Sequence, residues 1–169
     1  MPVGFIGLGN LGRAMAGRLA SEGVDLLVWN RTSAKADASG LPVANTPSEI
    51  ATRCDTIILN LFHSQAVREV LTGQSGLLSG GIKGKTIIDT TTNHFHEVLE
   101  FHAAIDKDGG SYLEAPVLGS VIPATQGTLT ILVSGAHEDF ESHRPLFDKL
   151  GKNLIFIGQP GLAGRAGTW

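Results

Sequence analysis

The sequence has few of the features that mark secreted, membrane-spanning or nucleic-acid-binding proteins. Its 169 residues include one cysteine, Cys54, which cannot form an internal disulfide bond and so agrees with a cytoplasmic location. No apolar run approaches the roughly 20 residues that a membrane-spanning helix needs. The net charge of −3 gives no basic surface for nucleic acid, and the chain begins without a secretory signal. We therefore expect neither a membrane nor a nucleic acid as a partner.

A metal site also has little support, although the sequence contains six histidines. His94, His96 and His102 lie closest together, on a helix predicted from about residue 94 to 107. Residues two apart on a helix point to different faces, and His94 and His102 are two turns apart. No carboxylate stands at a recognisable ligand spacing, so we predict no bound metal. Cys54 is expected to be a small buried apolar side chain.

Glycine is abundant, with 22 residues, and its most informative cluster follows the first apolar segment. Residues 3–8 predict a buried strand, and Gly7, Gly9 and Gly12 follow with the spacing G-x-G-x-x-G. The next apolar side chains recur as on one face of a helix: Leu11, Met15 and Leu19. In this order Gly7 permits a tight turn, Gly9 lets backbone N–H groups approach phosphates, and Gly12 allows close helix–strand packing.

This strand, glycine turn and helix predict a dinucleotide site, with the helix N-terminus facing the pyrophosphate. A glycine-rich turn in an unrelated α/β protein is the alternative. The predicted cofactor contacts in this segment are Gly7, Leu8, Gly9, Asn10, Leu11 and Gly12.

The end of the second predicted strand, residues 24–29, indicates which dinucleotide binds. In NAD-preferring folds an acidic side chain about 20 residues after the glycine turn bonds the ribose 2′-hydroxyl. This chain has Asn30 there, followed by Arg31 and Thr32. Asn30 does not repel the additional phosphate of NADP, and a guanidinium can bind it bidentately. We therefore predict NADP(H) rather than NAD(H); a polar strand end followed by a helix cap at Thr32 or Ser33 is the alternative.

Strand and helix patterns alternate through the rest of the chain. Further strands are predicted at residues 56–61, 85–89, 111–117, 128–134 and 153–157. Helices are predicted from Thr46-Pro47, at about 66–71 and 94–107, near Pro123, and at 137–150 with a break or kink at Pro145. This alternation predicts an α/β fold with a Rossmann-like, doubly wound, mostly parallel sheet.

Ligands bind at the carboxyl ends of parallel strands in such sheets, which makes the residues that follow the third and fourth strands candidates for the cofactor wall. Leu61 ends one predicted strand and Phe62 follows it, and residues 90–93 follow the next. Alternatively, Phe62 covers the core and residues 90–93 cap the following helix.

Together these motifs resemble the nucleotide-binding domain of the β-hydroxyacid dehydrogenases, the relatives of 3-hydroxyisobutyrate, tartronate semialdehyde and 6-phosphogluconate dehydrogenases. Residues 4–12 resemble the opening signature of the family, and Asn-Arg-Thr at 30–32 is similar to its NADP-using glyoxylate and succinic semialdehyde reductase branch. Residues 89–92 resemble the Asp-x-Ser-Thr motif, whose last threonine contacts the cofactor, so the resemblance assigns that role to Thr92. Leu61-Phe62 stands where the family has a Leu-Pro that contacts the cofactor.

Residues 114–120 resemble the family's Asp-Ala-Pro-Val-Ser-Gly-Gly, which holds the substrate carboxylate. The resemblance therefore implies that a small carboxylate-bearing substrate binds at Leu118, Gly119 and Ser120. Leu118 replaces a serine and removes a hydroxyl donor, whereas Ser120 supplies a hydroxyl two residues later.

In this family a Gly-x-x-Gly linker precedes a long helix that carries a catalytic lysine. Gly158 and Gly161 resemble that linker, but the last lysine of this sequence is Lys152. We expect residues 1–157 to form the NADP-binding domain and residues 158–169 to be a linker. The all-helical domain of the family is then absent from this chain, and the chain contains no catalytic residue.

The resemblance implies an NADP(H)-dependent oxidoreductase that moves a hydride between nicotinamide and a small 3-hydroxy acid or aldehyde-acid. The parent protein is expected to be a homo-oligomer, and residues 1–169 alone are expected to bind cofactor with little or no turnover. One alternative is an imine reductase-like enzyme, a class that resembles this chain in the glycine turn and Asn-Arg-Thr and does not use the lysine. The other is a non-catalytic dinucleotide-binding module.

Overall fold

The computed structural model describes residues 1–163, in which strands and helices alternate along the chain. The strands are β1 (Val3–Ile6), β2 (Leu26–Trp29), β3 (Thr56–Leu59), β4 (Thr86–Asp89), β5 (Ser111–Glu114), β6 (Val117–Leu118), β7 (Leu129–Ser134) and β8 (Gly151–Gly158). The helices are α1 (Asn10–Ser21), α2 (Ser33–Asp37), α3 (Pro47–Arg53), α4 (Ser64–Thr72), α5 (Leu77–Gly80), α6 (Phe95–Lys107), α7 (Val121–Gln126) and α8 (His137–Leu150).

The strands form one mostly parallel sheet. Neighbouring strands in the order β2-β1-β3-β4-β5 are all parallel. β7 pairs antiparallel with β5 and β6, and it pairs parallel with β8 along its opposite edge. This topology confirms the prediction of a mostly parallel α/β sheet with the Rossmann-like arrangement.

Each central strand buries both of its faces, because consecutive side chains point to opposite sides of the sheet. Phe5, Ile58 and Ile88 pack on one side, with side chains from α1 and α8. On the other side, residues from the same three strands pack with α3, α4 and α6: Ile6, Ile57, Leu59 and Ile87. This explains why the strands are continuous apolar runs in the sequence. Cys54 is fully buried in the second layer, as expected, and burial raises the pKa of its thiol.

Several element boundaries differ from those predicted, each for a local reason. β1 ends at Ile6 because Gly7 turns the chain with a φ of 105°. β2 begins at Leu26 rather than residue 24, since the Val24 N–H donates to the last turn of α1. The predicted strand at 111–117 is divided into β5 and β6 around Pro116, which has no N–H to donate to a ladder.

Of the predicted break or kink at Pro145, the break is wrong, because α8 continues from His137 to Leu150 with the proline inside it, and the kink stays a prediction. Pro145 lies on the exposed side of the helix. The helix therefore keeps its buried face, including Phe140 and Phe147.

Residues 159–163 of the predicted linker pack against the sheet. The Gly161 N–H donates to the Glu114 carboxylate over 2.6 Å, the Ala163 N–H donates to the Ser134 hydroxyl over 3.2 Å, and Ala163 is fully buried. The rest of that predicted segment, residues 164–169, lies outside the described residues. Within residues 1–163, no helix is long and apolar enough to cross a bilayer.

Candidate functional site

The turn between β1 and α1, residues 7–12, brings two backbone segments into direct contact. Gly7 has a φ of 105°, which L side chains rarely adopt, and a Cβ there would overlap the carbonyl oxygen of Asn60 after β3. A Cβ on Gly12 would overlap the carbonyl oxygen of Gly7. Both glycines therefore allow α1 to begin directly against the sheet, as their spacing predicts.

The N-terminus of α1 is left open at this turn. Gly9 is its N-cap residue and no side chain caps the helix, so the first N–H groups have no partner within it. The first turn contains no acidic residue. A Cβ on Gly9 would stand 3.2 Å from the ring of Phe62, in the space in front of the helix. Free N–H groups and the positive end of the helix dipole suit an anion in that space.

Asn30, after β2, fixes the glycine turn from the other side. Its side-chain oxygen accepts a hydrogen bond from the Leu8 N–H over 2.8 Å, and its amide nitrogen donates to the Thr32 carbonyl over 3.0 Å. Both polar atoms of this neutral side chain are therefore engaged within the protein. Asn30 holds the backbone of the turn in place and puts no negative charge beside it.

Two exposed cations, Arg31 and Lys35, line the cleft beside Asn30, together with Thr32. Within residues 1–163, neither cation takes part in an ion pair. The sequence interpretation missed Lys35. The available signal was its position four residues after Arg31, which is one helical turn when the intervening residues begin a helix.

Residues after β3 form the next part of the cleft wall. Leu61 and Phe62 both line it, and Phe62 is 84% exposed, so the alternative that it covers the core is wrong. His63 follows, and its Nδ1 accepts from the Ala66 N–H at the start of α4.

Three threonines after β4 complete this edge of the cleft, and their hydroxyl groups differ in the hydrogen bonds they make. The Thr90 hydroxyl bonds the Leu59 carbonyl, and the Thr91 hydroxyl accepts from the Leu61 N–H. Thr92 is exposed to the cleft, and within residues 1–163 its hydroxyl makes no hydrogen bond. Of the three, Thr92 is thus the one with a hydroxyl available for a ligand.

Asp89, at the end of β4, fixes the position of this threonine segment through hydrogen bonds. It is 1% exposed and accepts hydrogen bonds from the Tyr112 hydroxyl (2.6 Å), the Asn93 amide (2.7 Å) and the Thr91 N–H (3.0 Å). Burial raises the pKa of Asp89, and these hydrogen bonds oppose that rise. Sequence reasoning did not predict this network, because Tyr112 lies 23 residues away on β5.

These walls enclose a cleft of about 670 Å³ at the carboxyl edge of β1 to β4. Ten of the twelve predicted cofactor residues line it: Gly7, Gly9, Asn10, Leu11, Asn30, Arg31, Thr32, Leu61, Phe62 and Thr92. The other two, Leu8 and Gly12, fix the glycine turn: the Leu8 N–H donates to the Asn30 side chain, and Gly12 lies against the Gly7 carbonyl. An open glycine turn and a free helix N-terminus together fit the diphosphate of a dinucleotide.

The three predicted substrate residues lie beyond the cleft, next to Val117, which does line it. Leu118 is 51% exposed, Gly119 has a φ of 137°, and Ser120 is the N-cap residue of α7. The Glu114 carboxylate at the start of the same motif is 2% exposed. It bonds His102, Ser134 and the Gly161 N–H, so it anchors the backbone.

The histidines do not form a cluster. Among the described residues, no three His, Cys, Asp or Glu side chains come together as a metal site requires. His94 is the N-cap residue of α6, and His102 contacts the Glu114 carboxylate over 3.0 Å.

Comparison with known proteins finds a family with this nucleotide-binding fold. Residues 2–158 match the family described as the NAD binding domain of 6-phosphogluconate dehydrogenase. Over 95% of its length the chain is 38% identical to glyoxylate/succinic semialdehyde reductase 1 of Arabidopsis thaliana, covering 57% of that protein. It is also 38% identical to 2-hydroxy-3-oxopropionate reductase of Escherichia coli, covering 56% of it. The chain thus spans little more than half the length of these relatives.

The solved structure of Psf3 in complex with NADP+ and 2-OPP superimposes on this chain with a TM-score of 0.91. The two sequences are 30% identical, and the match covers 97% of this chain and 59% of that one. Imine reductases are also among the structures that share the fold.

Replacing Gly9 with valine tests whether the open helix N-terminus binds the phosphates. The backbone of Gly9 is extended (φ −65°, ψ −175°), so valine fits it, but the side chain fills the space in front of α1. We expect NADP+ affinity, measured by calorimetry, to fall at least about tenfold, which is about 1.4 kcal/mol. Gly17→Val is the matched control, because a side chain at Gly17 meets no atom within 4 Å. Equal affinities for the two variants would contradict the assignment.

Proposed function

This chain belongs to the family of the NAD-binding domain of 6-phosphogluconate dehydrogenase, and on that premise we propose that its cleft binds NADP(H) in preference to NAD(H). The parent enzyme then transfers a hydride between nicotinamide and a small 3-hydroxy acid or aldehyde-acid. One observation carries the proposal: the open glycine turn and two unpaired cations of the described chain, Arg31 and Lys35, line the same cleft.

The preference for the phosphorylated cofactor follows from the charge at the end of β2. No carboxylate stands there to accept a bond from a ribose 2′-hydroxyl or to repel a 2′-phosphate. Arg31 offers a bidentate guanidinium, Lys35 a second positive charge and Thr32 a hydroxyl, all at the cleft surface. The neutral Asn30 keeps the glycine turn in place, so the site binds an anion without a competing negative charge beside it.

The order of the strands gives the direction in which the cofactor lies. The 2′-phosphate residues follow β2, the glycine turn follows β1, and Leu61, Phe62 and Thr92 follow β3 and β4. The adenosine half therefore lies towards β2, the pyrophosphate at the N-terminus of α1, and the nicotinamide towards Thr92. When bound, the cofactor supplies or accepts the hydride.

The substrate is proposed to bind beside the nicotinamide end, at Leu118, Gly119 and Ser120. Val117 connects this segment to the cleft wall. Backbone N–H groups at Gly119 and Ser120, and the Ser120 hydroxyl, suit a carboxylate; the isobutyl group of Leu118 contributes no polar contact. The family's proton-transferring lysine has no counterpart after Lys152 in these 169 residues. We therefore propose that this polypeptide binds the cofactor and turns over little substrate by itself.

Two other functions have a specific observation in their favour. An imine reductase-like activity is favoured by the exposed apolar Leu118, which suits a substrate without a carboxylate. A non-catalytic dinucleotide-binding module is favoured by the cofactor cleft together with Leu118, which contributes no hydroxyl group to the predicted substrate segment.

Arg31→Ala and Lys35→Ala test the cofactor preference. Each variant loses a charge-assisted contact with the 2′-phosphate, so we expect NADP+ to bind about 10- to 100-fold more weakly, whereas NAD+ affinity changes less than about threefold. Calorimetric titration of both dinucleotides measures the ratio. Lys152→Ala removes the same charge from the exposed part of β8 and is expected to change neither affinity. A wild-type chain that binds NAD+ as tightly as NADP+ would refute the preference.

Turnover by residues 1–169 tests whether this polypeptide is inactive and whether it acts as an imine reductase. With NADPH at saturation, we expect no loss of absorbance at the nicotinamide band above the blank when glyoxylate or succinic semialdehyde is added, because the family's proton-transferring lysine has no counterpart in these 169 residues. Reduction of either aldehyde would disprove the inactivity of this polypeptide. Reduction of a cyclic imine would favour the imine reductase-like alternative.

A further inference from the structure

One face of α4 forms a second wall of the cleft, and α4 packs on the opposite side of the sheet from α2, the helix that contains Lys35. Ala66, Glu69, Val70 and Gly73 all line the cleft, and their spacing of i, i+3, i+4 and i+7 places them on one side of a helix. Ala66 and Val70 make this side of α4 apolar. Gly73 has no side chain, so it leaves space for a ligand against the helix. The surface suits one face of a planar aromatic ring.

Glu69 is the one acidic residue among the described residues that line the cleft. It is exposed, and its side chain contacts the Gln65 amide at 3.5 Å. Within the described chain it makes no ion pair with Arg31 or Lys35. A carboxylate is unfavourable in a cleft for a polyanion unless it meets a hydrogen-bond donor of the ligand.

We propose that Glu69 recognises the exocyclic 6-amino group of the adenine base and is thereby a specificity-determining residue for the cofactor. The inference rests on the proposed function, because the 2′-phosphate site at Arg31 and Lys35 places the attached adenosine at this end of the cleft. The adenine ring then packs on Ala66 and Val70, with its amino group as the donor that the Glu69 carboxylate accepts. Because Glu69 pairs with neither cation in the described chain, its carboxylate is available to accept from the base.

The test compares NADP+ with its hypoxanthine analogue, which has a carbonyl oxygen in place of the 6-amino group and an N–H in place of the N1 acceptor. We expect the wild-type chain to bind NADP+ about tenfold more tightly, since the carboxylate accepts from the amine and repels the carbonyl. In Glu69→Gln the side-chain amide accepts from the amino group of adenine and donates to the carbonyl oxygen of hypoxanthine. The ratio of the two dissociation constants therefore approaches one. Calorimetry gives both constants, and Trp29, which lines the cleft, provides a fluorescence signal.

Glu138→Gln is the matched control, because it removes the same charge from the exposed surface of α8 and is expected to leave both dissociation constants unchanged. A ratio of dissociation constants near one in the wild-type chain would overturn the inference, and so would a ratio that Glu69→Gln leaves unchanged. In either case, NADP+ binding would still support the proposed function. If Glu69 instead pairs with Arg31 or Lys35, the variant tightens both ligands equally, which also overturns it. If the wild-type chain binds neither dinucleotide, the proposed function itself fails.

Discussion

The structure depends on a close backbone contact between the turn after β1 and the chain after β3. Gly7 lies against the carbonyl of Asn60, and Gly12 lies against the carbonyl of Gly7, so a side chain at either position would separate α1 from the sheet. Because α1 begins at this contact, its free N–H groups face the carboxyl edge of the strands. The location of the cleft, and the direction in which a bound cofactor would lie, both follow from it.

Polar side chains near the cleft fall into two groups. One group is used within the protein: Asn30 bonds the Leu8 N–H, and Asp89 bonds Tyr112 and Asn93. Two threonines after β4 bond the carbonyl of the last residue of β3 and the N–H of Leu61. These bonds fix the backbone on either side of the glycine turn. The other group faces the cleft without such bonds in the described chain, namely Arg31, Lys35 and Thr92. The residues that face the cleft are therefore held in place by hydrogen bonds between other residues of the protein.

The sequence predicted the fold and most of the cleft because those features are local. Apolar strands, the glycine spacing and Arg31 can each be recognised within a short segment, and ten predicted residues do meet in one cleft. The bonds of Asp89 and the position of Glu69 were not predictable in this way, since they depend on how separate helices and strands pack. The break expected at Pro145 failed for a similar reason: only the packed structure shows that the proline lies on the exposed side of α8.

The central claim is that backbone N–H groups at the start of α1 bind the cofactor diphosphate. Amide chemical shifts of the isotope-labelled chain, followed by NMR during titration with NADP+, test it directly. The account predicts that the largest backbone shifts occur at Gly9, Asn10 and Leu11, with further shifts at Arg31 and Thr92. Saturable binding that leaves the amides of residues 9–11 unmoved would contradict it.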